Sequence, residues 1–239
     1  MALNSTGTTE KARATISSHN MELDSKLGGG LPVGALTLIE GTSGAGKSVL
    51  SQQIMWGALQ DGFTVTTFTS ENSVSSLVSQ MQKLNLDVLD FLLLRKLRIY
   101  PMALSRLGAR APSVLLSAIR DQRDRTLIVV DSLTSAVIHS NNNAAILRFF
   151  EECQGICAGN VTIIVTLHAQ GVSEDLLNPL RSMCDADLRL RAEQDGQRMV
   201  KTLEVSKVRG ADSVTGAIVG FEVEPGWGMR VIPISKARG

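Results

Sequence analysis

Residues 35–50 read Ala-Leu-Thr-Leu-Ile-Glu-Gly-Thr-Ser-Gly-Ala-Gly-Lys-Ser-Val-Leu, and this stretch decides the fold. Its apolar start predicts a buried strand that ends at Gly41, and the next seven residues complete the pattern Gly-x-x-x-x-Gly-Lys-Ser. The segment after it, residues 47–60, predicts an amphipathic helix. A strand, a glycine-rich turn and a helix in this order are the context in which the pattern forms a phosphate-binding P-loop. The stretch therefore predicts an α/β domain that binds a nucleoside triphosphate.

Each part of this loop has a physical role in phosphate binding. Its residues are Gly41, Thr42, Ser43, Gly44, Ala45, Gly46, Lys47 and Ser48. The glycines let the main chain curl so that successive N–H groups point at phosphate oxygens, and the helix that follows adds the positive end of its dipole. Lys47 brings a full charge to the β- and γ-phosphates, and the Ser48 hydroxyl is a ligand for the bridging Mg²⁺. The structural alternative is a glycine-rich turn followed by a chance Lys-Ser.

A second motif lies about 80 residues further along the chain. Residues 126–132 read Thr-Leu-Ile-Val-Val-Asp-Ser, and four apolar residues before an acid are typical of a central parallel strand buried on both faces. In a P-loop protein this acid, Asp131, is the Walker B aspartate, which holds Mg²⁺ through its water shell. Ser48 and Asp131 are therefore the predicted metal site.

Two further side chains are predicted at the same rim of the sheet, where ligands of open α/β sheets bind. Glu71 follows a strand at 64–69, and His168 ends a strand at 161–167. Glu71 could orient or deprotonate the water that attacks the γ-phosphate, or it could be only an acid that favours a helix start. His168 could sense the γ-phosphate through a hydrogen bond, or it could be structural.

Lys207 and Arg209 form a third feature, within Lys-Val-Arg-Gly at 207–210. Residues two apart on a strand point to the same side. At a sheet edge such a pair can reach the triphosphate of a neighbouring subunit and stabilise the charge that moves in phosphoryl transfer. From the residues alone, a solvated pair on an edge strand is the alternative.

The remaining pattern predicts one domain of alternating strands and helices over residues 19–239, after a polar, flexible tail at 1–18. Helices are predicted at 73–84, 112–124 and 144–158, and an apolar segment at 88–94 predicts a buried helix. Strands at 187–191, 199–207 and 218–223 alternate as half-buried antiparallel strands, with a hairpin turn at 194–197. The predicted fold is α/β, with a central, mostly parallel sheet flanked by helices and an antiparallel C-terminal edge.

Composition excludes several classes of function. The formal net charge is +1 and aromatic residues are 4% of the chain, which argues against a DNA-stimulated, recombinase-like ATPase. Three cysteines without a nearby His or second Cys pair favour core packing over a metal site. We find no apolar run near the roughly 20 residues needed to span a bilayer, and no signal peptide pattern. We therefore expect a cytoplasmic protein, or one held at the membrane by a partner.

Together the motifs resemble the KaiC branch of the RecA-like ATPases. They are Gly-Gly-Gly-Leu-Pro-x-Gly at 28–34, the P-loop, Ser-Glu at 70–71, Val-Asp-Ser at 130–132, Thr-Leu-His at 166–168 and Lys-x-Arg-Gly at 207–210. The resemblance implies a RecA-like core that assembles as a ring, often a hexamer, with ATP and Mg²⁺ between subunits. It implies that Glu71 is the catalytic glutamate and that Lys207 and Arg209 act in trans, as catalytic residues at a neighbouring site.

Within that branch, the single-domain length and the Thr-Ser-Glu-Asn at 69–72 resemble the accessory proteins of the archaellum, the archaeal flagellum. Other members usually have Glu-Glu where this chain has Glu71-Asn72, and loss of the second carboxylate argues against fast hydrolysis. The resemblance implies an ATP-binding motility component with little turnover. Its implied partners are the secretion-type motor ATPase (FlaI-like) and the membrane platform protein (FlaJ-like), with no nucleic acid. An active KaiC-like ATPase or autokinase is the alternative.

Overall fold

A computed structural model describes residues 14–195, 198–210 and 216–232 of the 239-residue chain. Its strands are β1 (Thr15–Ile16), β2 (Leu31–Pro32), β3 (Leu36–Gly41), β4 (Val65–Thr69), β5 (Leu97–Pro101), β6 (Leu127–Asp131), β7 (Thr162–His168), β8 (Ala186–Asp195), β9 (Arg198–Val208), β10 (Ala217–Glu224) and β11 (Gly228–Ile232). The two short strands β1 and β2 pair with each other, and the other nine form one sheet.

The nine-stranded sheet has the order β11-β10-β9-β8-β3-β7-β6-β4-β5. Every pairing from β8 to β5 is parallel, and the pairings among β8, β9, β10 and β11 are antiparallel. The predicted α/β fold, with its antiparallel edge, is therefore confirmed. The P-loop strand β3 lies inside the sheet between β7 and β8, so the loop that follows it is supported on both sides.

Helices cover both faces of this sheet. They are α1 (Met21–Lys26), α2 (Lys47–Gln60), α3 (Val74–Lys83), α4 (Leu89–Leu93), α5 (Ala111–Arg120), α6 (Thr134–Ser140), α7 (Asn143–Cys157) and α8 (Glu174–Met183), with a 3-10 helix at Leu104–Arg110. One apolar core joins the sheet to α1, α2 and α3, and a second joins it to α5, α6, α7 and α8. Our sequence prediction gave no helix for α1, α6 or α8. Among the described residues, no helix combines the length and the apolar character needed to cross a membrane.

The prediction that α2 is amphipathic is wrong, because the chain also covers the side of α2 that faces away from the sheet. A Cβ at Gly57 would lie 2.2 Å from the Ser17 carbonyl oxygen, and the Gln53 side chain donates a hydrogen bond of 2.8 Å to the Ser18 carbonyl. Ser18 is itself buried, and its hydroxyl and N–H both donate to Asp24. The packed chain therefore begins earlier than residue 18, the predicted end of the tail; residues 1–13 of that tail lie outside the described residues.

The predicted buried helix at 88–94 is wrong in its burial. Helix α4 occupies this segment, but Leu93 is 81% exposed and Leu94 69% exposed. The helix lies beside β5, the edge strand of the sheet, and the segment reaches the core through Phe91, Leu92 and Val88, the residue just before the helix. The predicted C-terminal hairpin is present as β8 and β9, which pair from Asp195 and Arg198 onward. The two residues between them lie outside the described residues.

Candidate functional site

The P-loop connects β3 to α2, and two of its glycines are required by close neighbours. A Cβ at Gly41 would lie 2.3 Å from the Leu190 carbonyl oxygen on β8. Gly46 has φ +102°, and a Cβ there would lie 3.0 Å from two ring atoms of Phe221 on β10. At Gly44, with φ +70°, an added Cβ would meet nothing within 4 Å. The loop is therefore packed from below by the sheet and left open above, which suits a cradle for an anion.

Lys47 lies under this loop and is only 8% exposed. Its Nζ atom donates to the Gly41 carbonyl at 3.0 Å and to the Thr42 carbonyl at 2.7 Å. Burial lowers the pKa of Lys47, and the nearby Asp131 and Glu71 carboxylates partly oppose that shift. The ammonium group is held by two consecutive main-chain oxygens at the start of the loop, as expected of a cation poised for phosphate.

Asp131 ends β6 with its carboxylate directed to the same place. Burial raises its pKa, against hydrogen bonds from the hydroxyls of Thr166 and Ser48. The bond from Thr166 is 2.6 Å long. The predicted metal pair, Ser48 and Asp131, is therefore brought together. A buried carboxylate whose charge is disfavoured by its surroundings is suited to a bound cation.

These two residues also decide which metal fits. Among the described residues, no group of three or more His, Cys, Asp and Glu side chains is arranged to hold an ion. A metal here would take one carboxylate and one hydroxyl from the protein and the rest of its ligands from phosphate and water, which is how Mg²⁺ is usually bound. The donor set fits Mg²⁺ that arrives with a nucleotide.

Glu71 faces Asp131 across the cleft, on the loop after β4. Its Oε1 atom accepts a hydrogen bond of 3.2 Å from the Ser132 hydroxyl. Ser132 is in turn held by Ser70, whose hydroxyl donates to the Ser132 carbonyl and accepts from the Ser132 N–H. The Asn72 side chain turns to α3, where it accepts from the Ser76 hydroxyl and the Gln80 amide. The residue that follows Glu71 therefore belongs to the helix start.

The cleft has a volume of about 250 Å³. Its lining includes P-loop residues together with Glu71, Asp131, Ser132, His168 and Lys201. Burial, with the charge of Lys47, lowers the pKa of His168. Lys201, on β9, is a residue that sequence reasoning missed, because nothing in its local sequence marks it. The antiparallel edge of the sheet thus adds a cation to a site otherwise built from the parallel strands.

Lys207 and Arg209 are not in this cleft. On β8, Leu190 lies opposite Gly41 of the P-loop, and Asp187 lies opposite Leu38. Lys207 on β9 lies opposite Asp187, so it is level with Leu38 and not with Gly41. Three residues of strand, roughly 10 Å, separate the two levels. The Lys207 ammonium donates to the Arg181 carbonyl at 2.9 Å, and both cations donate to the Ser182 carbonyl, each at 3.3 Å. The predicted common side of the two residues is confirmed, and they do not reach the P-loop of their own chain.

A second, more apolar pocket of about 380 Å³ adjoins the cleft. The two cavities share Ser48 and Val49 at the start of α2, and the far wall of the second one is formed by Leu84, Val223 and Pro225. Its position beyond the end of the P-loop gives room for an apolar group attached to a bound phosphate. Sequence reasoning could not find it, because its walls come from three distant segments.

Comparison with known proteins agrees with this geometry. The family model for the KaiC ATPases matches residues 17–236. The archaeal flagellar ATP-binding protein FlaH of Sulfolobus acidocaldarius is 32% identical over 232 residues, which cover 93% of this chain and 99% of that protein. The protein of the same name from Methanocaldococcus jannaschii is 26% identical, over 94% of this chain and 97% of that one. The crystal structure of flagellar accessory protein FlaH from M. jannaschii superposes with a TM-score of 0.82 at 25% identity, covering 92% of this chain and 99% of that chain.

The P-loop, Asp131 at the end of β6 and the nine-stranded sheet define a KaiC-type P-loop ATPase domain. Within that class, the chain belongs to the FlaH family. The resemblance to the archaellum accessory proteins is therefore confirmed.

Proposed function

We propose that this chain binds ATP with Mg²⁺ and serves as a nucleotide-responsive assembly component of the archaellum motor. The observation that carries the proposal is the convergence of Lys47, Ser48 and Asp131 on one open P-loop, in a member of the FlaH family. The curated relatives are named archaeal flagellar ATP-binding proteins, which supports ATP as the nucleotide and the archaellum as the setting.

Each part of the site has a role in this binding. The P-loop N–H groups and the start of α2 hold the phosphates, and Lys47 supplies a charge that its buried position keeps close to them. Ser48 and Asp131 hold the metal ion, which neutralises phosphate charge when bound. His168 and Lys201 lie where the terminal phosphate would extend. The apolar pocket next to Val49 suits a nucleobase, because planar bases bind by apolar contact with few polar groups.

We infer that hydrolysis is slow. Glu71, the general base that we propose, is exposed to solvent, and its neighbour Asn72 is an amide that points to α3. With an amide at position 72, no second carboxylate is available there to help hold the attacking water. Nucleotide occupancy, rather than turnover, would then carry the signal.

The response would be assembly. Lys207 lies level with the middle of β3 and Arg209 lies near its start, roughly 10 Å or more below the P-loop, so we propose that they serve a nucleotide held by another protomer. A ring, hexameric in the KaiC pattern, brings Lys207 and Arg209 of one protomer to the P-loop of its neighbour. We propose that this ring contacts the motor ATPase (FlaI-like) and the membrane platform protein (FlaJ-like) on the cytoplasmic side of the membrane.

The test combines nucleotide binding, turnover and partner capture. Calorimetry should detect Mg·ATP binding to the parent and none to Lys47→Ala, while Lys26→Ala, at an exposed lysine on α1, should bind like the parent. We expect turnover far below the range of about 1–100 s⁻¹ of kinases. Capture of the motor ATPase should be stronger with ATP than with ADP. Equal capture with ATP, with ADP and by Lys47→Ala would refute the proposal.

One contact favours a second candidate, an autokinase. The Ser132 hydroxyl lines the cleft and donates to Glu71, so a nucleophile and a base are adjacent. Transfer of the γ-phosphoryl group of ATP to the Ser132 oxygen, with the proton passing to Glu71 and ADP leaving, would add one phosphate to the protein. Intact mass spectrometry after incubation with Mg·ATP decides this, with Ser132→Ala as control. An unchanged mass would exclude it.

A further inference from the structure

A buried charge network begins immediately before the P-loop. Glu40 precedes Gly41 on β3 and is 2% exposed. Arg181 binds its carboxylate with two parallel hydrogen bonds, from Nε to Oε1 at 2.7 Å and from Nη2 to Oε2 at 3.0 Å. Arg189, its cross-strand neighbour on β8, approaches Oε1 at 3.0 Å. A paired carboxylate at this depth is strongly held, because leaving it without its cation is costly.

The same arginine lies in the last turn of α8, and the main chain there binds the two distant cations. The last carbonyl groups of a helix have no partner within the helix and attract positive charge. Here Lys207 donates to the Arg181 and Ser182 carbonyls, and Arg209 donates to the Ser182 carbonyl and the Asp185 carboxylate. Arg181 is thus bound through its side chain to the P-loop strand and through its carbonyl to Lys207.

We propose that Arg181 is a positioning residue, which sets the placement of Lys207 and Arg209 and links it to the P-loop of the same protomer. The inference rests on the proposed function, since it concerns cations that would serve a neighbouring nucleotide. If nucleotide binding shifts the end of β3, Glu40 moves with it and pulls the guanidinium group of Arg181. The end of α8 then moves, and with it Lys207, which is bound to the Arg181 carbonyl. Occupancy of one site would in this way prepare the cations for the next.

A simpler role is that Lys207 and Arg209 only cap α8. The two roles differ in what the Arg181 side chain does. If Lys207 only caps α8, it needs the main-chain carbonyl of Arg181, and the guanidinium group is not involved. They also differ in whether Lys207 responds to nucleotide. Glu174 provides a matched control: it binds the third branch of Arg181 at 2.6 Å but is exposed and has no contact with Glu40.

The test measures the acylation rate of Lys207 in the full chain with sulfosuccinimidyl acetate, by peptide mass spectrometry at dilutions where the protein is monomeric. Lys26 is the internal reference. In Arg181→Gln we expect Lys207 to react about fivefold faster, with Lys26 unchanged, and in Glu174→Gln no change. Mg·ATPγS should change the Lys207 rate of the parent by about twofold or more but not that of Arg181→Gln, although both bind the nucleotide.

Arg181→Lys is the second variant, because it keeps a cation beside the buried Glu40 but cannot form the fork. In this variant we expect Lys207 to be acylated at a rate between those of the parent and Arg181→Gln. If Arg181→Gln does not fold, the rate in Arg181→Lys tests whether the Arg181 side chain positions Lys207. Unchanged Lys207 rates in folded Arg181 variants, or a nucleotide response that survives in them, would overturn the inference. A parent that binds no nucleotide would instead refute the proposed function, while the nucleotide-free rates would still test the Arg181 anchor.

Discussion

The Thr166 hydroxyl donates a hydrogen bond of 2.6 Å to the Asp131 carboxylate, from β7 to the end of the neighbouring strand β6. This bond stabilises the charged form of an acid whose pKa is nevertheless raised, because burial has the larger effect. Without a metal, the negative charge of Asp131 is therefore a cost to the folded protein. This cost is consistent with the cation site that we propose, since functional sites often reduce stability.

Asp131→Asn should separate these two effects. We expect the nucleotide-free variant to be at least as stable as the parent at neutral pH, because the disfavoured charge is gone. Since folding raises the pKa of Asp131, the parent should lose stability relative to the variant as pH rises through that pKa. Stabilisation by Mg·ATP should be lost in the variant. Thermal unfolding with and without Mg·ATP, over a series of pH values, measures all three.

Thr166→Val provides the control for that experiment. It removes the hydroxyl but keeps the metal ligand, so the nucleotide-free protein should lose about 1–3 kcal/mol while stabilisation by Mg·ATP persists. A nucleotide-free Asp131→Asn variant that is markedly less stable than the parent would contradict the assigned balance between burial and hydrogen bonding.

The sequence predicts the P-loop, the strand before Asp131 and the fold class because each depends on a short local pattern. The placement of Lys201 and Lys207 depends on strand register. A bulge in β9 shifts its pairing with β8 between Asp187 and Leu188, so Lys207 lies on the α8 face. Lys201 lies before the bulge and shares the α2 face of the strand with the buried Leu203, two residues along. One extra residue in a strand exchanges its faces, and no local pattern in this chain marks the bulge.

The wrong predictions of burial for α2 and α4 also come from contacts with distant parts of the chain. Helix α2 has polar residues such as Gln52 and Gln53, which predict an exposed face, but Ser17 and Ser18 cover it and satisfy part of its hydrogen bonding. The leucines of α4 predict burial, but the helix lies at the edge of the sheet, where little chain is available to cover it. Both outcomes depend on which distant segment packs there.

Gly46→Ala should damage the site more than a glycine replacement elsewhere. At φ +102° an alanine is strained, and its Cβ would also press on the ring of Phe221 at 3.0 Å. Gly62→Ala is the matched control, because Gly62 has φ +85° but open space around it. We expect the control to cost about 1–2 kcal/mol with unchanged nucleotide binding.

Gly46→Ala should cost more than the control in the free energy of unfolding and should weaken Mg·ATP binding about tenfold or more, because the loop must shift away from Phe221. Urea unfolding and calorimetry on the two variants give both numbers. Equal effects of the two substitutions on nucleotide affinity would show that the packing of Phe221 against the loop is unimportant.

The three cysteines should be unreactive towards thiol reagents in the folded protein. Burial raises the pKa of the thiols of Cys153, Cys157 and Cys184, to about 12 for Cys157, from an ordinary value of 9.0. Because the pKa of Cys157 is higher in the folded than in the unfolded state, its thiol contributes its full stability below pH 9, and that contribution is lost as pH rises from 9 towards 12.

Cys157→Ala tests this assignment. The free energy of unfolding of the parent should fall with pH above 9 by up to about 1.4 kcal/mol per pH unit for each thiol, and the variant should lose one such contribution. The difference between parent and variant should therefore narrow from pH 8 to pH 10 in urea titrations. A constant difference would show that the Cys157 thiolate is tolerated in the folded state.

Glu71→Gln should affect turnover without affecting nucleotide affinity. The Glu71 side chain is exposed at the rim of the cleft and touches Ser132, and it is neither a metal ligand nor part of the P-loop. If Glu71 is the base that orients water, the substitution should lower the release of phosphate, which we propose to be slow in the parent, by about 10²-fold or to background. Binding of Mg·ATP, measured by calorimetry, should stay within about threefold of the parent.

Ser132→Ala is the companion variant, because it removes the hydroxyl that holds Glu71 but leaves the carboxylate. It should lower turnover less than Glu71→Gln does, since a base with one hydrogen bond removed keeps its charge and its position on the loop after β4. Phosphate release that is the same in the parent and in Glu71→Gln would mean that water attacks without this carboxylate. In that case Glu71 would act at the rim only as an acid near the start of α3.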